Sequence, residues 1–172
     1  MALIKSVKGI VPKMGKNCFL ADNATLTGDV VMGDGCSVWF NAVVRGDVNS
    51  IRIGNNVNIQ DGAIIHGTYQ KFSVNIGNNV SIAHNAIIHG CTIHDNVLIG
   101  MGAIIMDGAV INSNSIVGAG ALVTEGIIVE SGSVWAGLPA RKVKNIDKSL
   151  LEGKVKRISR NYNMYAAWYD QK

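Results

Sequence analysis

Aromatic residues are scarce in this chain, 6% of 172 positions, and proline occurs only twice. A core therefore has to be assembled from small and β-branched side chains. Cysteine stands only at 18, 36 and 91, an odd number with no CxxC spacing, which suggests neither a disulfide framework nor a thiolate zinc site. Cysteine chemistry is not expected at the centre of function. No 18 apolar residues follow one another, and the start, MALIKSVKGIVPKMG, lacks the apolar run of a signal peptide. A cytoplasmic protein without a membrane span is expected. What the chain does have is 48% hydrophobic residues and 20 glycines, too apolar for a disordered chain. Its length suits one domain.

The formal charge of +4 is unevenly placed. Residues 1–140 carry seven Lys/Arg against nine Asp/Glu, whereas residues 141–172 carry nine against three. The body is mildly acidic and the tail basic. No nucleic-acid-binding motif accompanies the tail charge, so no nucleic-acid partner is expected.

An aliphatic residue recurs every sixth position through Ile93, Ile99, Ile105, Ile111, Val117, Val123 and Val129 to Trp135. Four residues after each of the first seven comes Val97, Ala103, Ala109, Ser115, Ala121, Ile127 or Ser133, mostly small enough for a narrowing interior. The same phase appears upstream at Leu20 to Val44, Ile53 to Ile65 and Ile76 to Ile88, giving nineteen hexads in all. Three residues are inserted between Val44 and Ile53, five between Ile65 and Ile76, and one is missing between Ile88 and Ile93; these mark loops or corner adjustments.

A six-residue period fits neither a helix nor a long strand. It fits a short strand plus a turn, repeated as the flat faces of a coil. Asn55-Asn56, Asn78-Asn79 and Asp95-Asn96 are expected at corners, because Asn tolerates positive φ. Three hexads per rung, with rungs about 4.8 Å apart, give roughly six rungs. On these repeats the chain resembles the hexapeptide-repeat, left-handed parallel β-helix proteins. The hand is implied by that resemblance, since general crossover rules favour the other.

The period stops after Pro139. Residues 1–140 are thus expected to form the all-β helix, and residues 141–172 a C-terminal amphipathic α-helix packed along it. The helix reading rests on Leu151, Val155, Ile158, Tyr162, Tyr165 and Trp168, with Asp147 or Asn145 as its cap.

All four histidines lie between positions 66 and 94. On the hexad grid Arg45, His66 and His89 each follow an aliphatic position three hexads apart, once the insertions are discounted. They form one vertical file, and stacked imidazoles at that spacing can share a metal ion. His84 projects from a neighbouring face with Asp61 directly beneath it. Zn–N bonds of about 2.0–2.1 Å are too short for His84 to reach the His66/His89 metal around a corner of one chain. Side-by-side packing of three chains about an axis solves this, with His84 of one subunit meeting His66 and His89 of the next. His94 occupies a corner slot and is read as structural, as are Cys36 and Cys91.

The segments VVRGD (43–47), NIQDG (58–62), His66 and AHNAIIHGC (83–91) resemble the γ-class carbonic anhydrase family across nearly the whole chain. The resemblance implies a homotrimer whose zinc is held by His66, His84 and His89 and whose metal-bound hydroxide hydrates carbon dioxide reversibly to bicarbonate. It further implies an intersubunit ion pair of Arg45 and Asp47, with Gln60 and Asp61 near the metal-bound water and the interface. Tyr162 and Asn161 are implied as helix residues reaching the pocket. Ferrous iron or cobalt suits three imidazoles as well as zinc does. Val48 follows Asp47 and the 67–73 loop has no carboxylate, where the family's most active form places acidic proton acceptors. A competent metal site with slow turnover is expected. The alternatives are coenzyme A-dependent acyl transfer, thioester hydrolysis, or a non-catalytic metal-stabilised scaffold.

Overall fold

The computed structural model describes residues 1–169 of the chain. Most hexads fold into a strand of two or three residues whose aliphatic side chain points inward, and Ile59, Ile65, Ile82, Ile88, Ile93, Ile99, Ile105 and Ile111 are fully buried. Each such side chain contributes about 1.5–3 kcal/mol of burial. The companion column is also interior, with Val97, Ala103, Ala109 and Ser115 wholly inaccessible. Corners turn on Asn56, Asn79 and Asn96, with φ of 54°, 55° and 57°. Their side-chain amides hydrogen-bond from rung to rung at 3.4 and 3.3 Å.

The result is a left-handed parallel β-helix with a C-terminal helix. It has about seven turns rather than six. The strands Leu3–Lys5 and Lys13–Met14 pair beneath Thr25–Met32 and add a coil that a count started at Leu20 omits. One face of the prism is an eight-stranded sheet running from Phe19–Leu20 through Asn58–Ile59 and Ser81–Ile82 to Ala140–Asn145. The other two faces share a twelve-stranded sheet, because the strand Val43–Ile53 runs round a corner. It pairs with Ile64–His66 on one side and Val74–Ile76 on the other. The three-residue insertion after Val44 is therefore continuous strand. At the bend, Gly28 has φ +71° and lies so close to the Gly46 carbonyl that no Cβ fits.

Two expectations for the tail need correcting. After the Leu138-Pro139 turn the chain first returns as the strand Ala140–Asn145, antiparallel to Ser133–Gly137, so helix begins only at Lys148. Asn145 ends that strand; Asp147 is the cap, its carboxylate accepting from the Leu150 N–H at 2.7 Å. Asp147→Ala should cost about 0.5–2 kcal/mol in a denaturant titration. The helix also widens to a π turn over Leu151–Lys156 before resuming as Arg157–Ala167. The extra residue shifts the buried stripe: Val155 and Ser159 are buried, whereas Trp168 is 57% exposed. The Ser159 hydroxyl donates to the Asn56 carbonyl at 3.0 Å, and Tyr162 meets Trp39 edge-on at 5.2 Å. No helix among the described residues is long and apolar enough to cross a membrane. Residues 170–172 of the expected helix lie outside the described residues.

Candidate metal centre

Parallel pairing sets Arg45 beside His66 and His66 beside His89, in register along the strands Val43–Ile53, Ile64–His66 and Ile87–His89. His66 Nδ1 and His89 Nε2 stand 3.2 Å apart. The second nitrogen of each ring faces a carboxylate: His66 Nε2 lies 3.1 Å from Asp47 and His89 Nδ1 2.6 Å from Asp107. A carboxylate only accepts, so these two ring nitrogens carry the protons. Two lone pairs are thereby left facing each other, a repulsive arrangement that a cation relieves. Two Zn–N bonds at a tetrahedral angle place their nitrogens about 3.3–3.4 Å apart, so the pair fits two ligands of one zinc.

His84, on the neighbouring face, also has a carboxylate beside it. Its Nδ1 lies 2.8 Å from Asp61 on the rung below, leaving Nε2 free with the Tyr162 hydroxyl 3.5 Å away. His66 and His89 are thus each oriented by a carboxylate hydrogen bond, the support usual for metal-ligating histidines, and His84 has a carboxylate within ion-pair distance. Among the described residues, no three His, Cys, Asp or Glu of the single chain converge as a metal site.

Asp107 is a site residue that sequence reasoning misses. It sits two residues past Ile105, which pairs with Ile88, and so falls one place beyond the file that counting follows. The 67–73 loop has no carboxylate of its own, but its Thr68 hydroxyl donates to Asp107 and braces it over His89. Gly90 makes room: at φ +53°, a Cβ there would run into the Asp107 carboxylate.

Electrostatics follow the contacts. Burial pulls Asp47 and Asp107 upward, but hydrogen bonds from Arg45 and His66 in one case, and from Thr68 and His89 in the other, hold both below the usual carboxylate value. Burial lowers His66 below its ordinary 6.5, helped by the charge of Arg45 and opposed by the bond to Asp47. The unfolded chain then binds a proton more readily than the native one, so this contribution rises with pH up to about 6.5 and is lost as pH falls through the native value. Neutral His66 is the ligating form. If His66 ligates a metal, release on acidification should have its His66 step below pH 6.5, measured with a chromogenic chelator.

Gln60 is buried, and its amide nitrogen donates to Asn58 Oδ1 at 2.9 Å. With His84 and Tyr162 it lines a cavity of about 620 Å³ between the eight-stranded face and the helix, walled by Leu98, Ile116 and Ile158. Burial pushes the Tyr162 hydroxyl up to about 12, so it stays protonated and able to donate. Asn161 turns instead to the Tyr165 hydroxyl at 3.4 Å. Within the chain Arg45 and Asp47 lie 2.6 Å apart as an ion pair. Cys91 is core, its thiol pushed up to about 12 by burial, and His94 is an exposed corner residue.

Residues 12–46 and 90–125 match the family model described as bacterial transferase hexapeptide (six repeats). The chain is 40% identical over 167 residues to a carbonic anhydrase of Geobacillus kaustophilus, covering 97% of this chain and 91% of the relative. It is 46% identical over 152 residues to a probable carbonic anhydrase of Methanocaldococcus jannaschii, covering 88% and 92%. Among solved structures, a putative acetyltransferase of Bacillus cereus superposes with a TM-score of 0.92 at 37% identity, covering 98% of this chain and 96% of that one. With relatives of this identity and coverage, and the histidine stack its repeats build, the chain belongs to the γ-class carbonic anhydrase family of hexapeptide-repeat proteins.

Proposed function

We propose that the protein interconverts carbon dioxide and bicarbonate at metal sites between the subunits of a homotrimer, each held by His66 and His89 of one subunit and His84 of another. The observation that carries this reading is the stacked pair His66 and His89, each with one ring nitrogen held by a carboxylate so that the other two nitrogens face each other 3.2 Å apart, with His84 beside Asp61 on the neighbouring face. Zinc suits this donor set, and Fe(II) or Co(II) is compatible with it. A zinc ion bound there would supply a Lewis acid that lowers the pKa of its water to about 7.

The chain's own residues do the rest. Asp47, Asp61 and Asp107 hold the rings in place, so little reorganisation is needed when charge develops. Gln60 spends one amide N–H on Asn58, and its carbonyl oxygen can accept from a water or from the bicarbonate O–H. Tyr162, protonated beside His84, can donate to a substrate oxygen. Leu98, Ile116 and Ile158 give apolar carbon dioxide a dry approach.

Proton export is the slow element, because Val48 stands where an acid would collect the proton. Val48→Glu should raise carbon dioxide hydration severalfold in dilute buffer, within the general range of acid–base assistance, and much less where concentrated buffer carries the proton. Equal rates in dilute buffer would show that proton transfer is not limiting.

One observation supports a second reading. The 620 Å³ cavity beside His84 is far larger than carbon dioxide needs, and a solved relative is titled a putative acetyltransferase. Acyl transfer from coenzyme A is separated by assaying the metal-loaded protein for carbon dioxide hydration and for acetyl-coenzyme A consumption. Hydration without consumption is expected.

A further inference from the structure

Two of the three cysteines are stacked at the N-terminal end of the β-helix, away from the histidines. Phe19 pairs with Ser37, so the residues just before them, Cys18 and Cys36, lie opposite each other on successive rungs. Their sulfurs take equivalent positions: Cys18 Sγ donates to the Gly33 carbonyl at 3.3 Å and Cys36 Sγ to the Gly54 carbonyl at 3.1 Å. Both thiols line one cavity of about 390 Å³, closed on its outer side by Asn163, Ala166 and Ala167 of the C-terminal helix. Cys36 is buried, whereas Cys18 is partly open. Neither takes part in the metal chemistry of the histidines.

Stacking at about 4.8 Å suits one particular bond arrangement. A metal–thiolate bond is about 2.3 Å, so two in line span about 4.6 Å, nearly the rung spacing. The cysteine column continues upward as Val57, Val80 and Val97, and among the described residues no third His, Cys, Asp or Glu joins the two thiols as a metal-holding group, the nearby Asp34 carboxylate acting on them only through its charge. We propose that Cys18 and Cys36 form a second metal site, a two-coordinate dithiolate for a soft monovalent cation of the Cu(I) class, reached through the cavity beneath the helix.

The neighbouring Cys36 thiol holds Cys18 down to about 6, while its interaction with Cys18 and burial hold the Cys36 thiol up. Cys18 is therefore the thiol of the pair that gives up its proton more readily. Binding forms two metal–sulfur bonds and releases to solvent the protons the two thiols still carry. Thiolates favour Cu(I), whereas the histidine site favours borderline ions such as zinc.

The test is a Cu(I) titration of reduced, zinc-loaded trimer against bicinchoninate, so that the histidine sites are already filled. One Cu(I) per chain should resist the chelator, with X-ray absorption showing sulfur-only, two-coordinate copper. Cys18→Val and Cys36→Val each substitute the residue found higher in the column, so the fold should persist, as circular dichroism will show. Each variant should lose the tight copper completely and keep its zinc, while Cys91→Ser should retain both metals. Undiminished copper in either valine variant, copper bound through nitrogen, or no capture by the reduced wild-type protein would overturn the proposal.

Discussion

His84→Ala should leave the purified protein folded but without metal, and carbon dioxide hydration should fall to the uncatalysed background. His84 is the most exposed of the three imidazoles and stands on a different face of the prism from His66 and His89, so on structural grounds alone it looks dispensable. Its loss removes one ion-pair contact with Asp61 at the surface, worth about 1 kcal/mol or less in stability. The expected effect on metal content is instead complete, equal to that of His66→Ala, because a zinc with two imidazoles has lost its third protein ligand. Metal analysis by mass spectrometry on matched samples reads this directly. Full occupancy in His84→Ala would mean that the metal is completed by some other group.

Asp107→Asn should come next in size. The carboxylate holds the proton on His89 Nδ1 and is itself held by Thr68, so both tautomer and ring orientation depend on it. An amide of the same shape can present its N–H to His89, which favours the wrong tautomer and blocks the ligating nitrogen. Loss of such a supporting carboxylate typically weakens metal binding about 10–100-fold. Zinc competition titrations should show that range for Asp107→Asn, and a smaller loss for Thr68→Val, which removes only the brace. A wild-type affinity in Asp107→Asn would reduce Asp107 to a corner residue.

Much of this is legible in the sequence because hexad registers add. With the insertions counted, Val44, Ile65 and Ile88 align rung on rung, and the stack of Arg45, His66 and His89 follows from arithmetic alone. The corner asparagines are legible for a local reason, their tolerance of positive φ. What escapes is anything set by direction rather than by register. Asp107 reaches His89 diagonally, through space that Gly90 leaves empty, and no column of the grid contains both. The pairing of Arg45 with Asp47 inside one chain likewise depends on two side chains bending toward each other. In the tail, a helical spacing of apolar residues says nothing of the strand Ala140–Asn145, which alternates poorly and is held by its hairpin partner. The π turn is hidden because the buried stripe shifts by a residue partway along the helix. Cys36 and Cys91 read individually as core, which both are, but the stacking of Cys36 on Cys18 becomes visible only through the rung pairing.

The central claim is that each metal is shared between subunits, and subunit mixing tests it most directly. His84→Ala and His66→Ala proteins, each expected to be metal-free, should be unfolded together, refolded as a mixture and supplied with zinc. A shared site predicts that mixed trimers regain zinc and carbon dioxide hydration, since one subunit contributes intact His66 and His89 and its neighbour an intact His84. Mixed trimers that form yet remain without metal would contradict it.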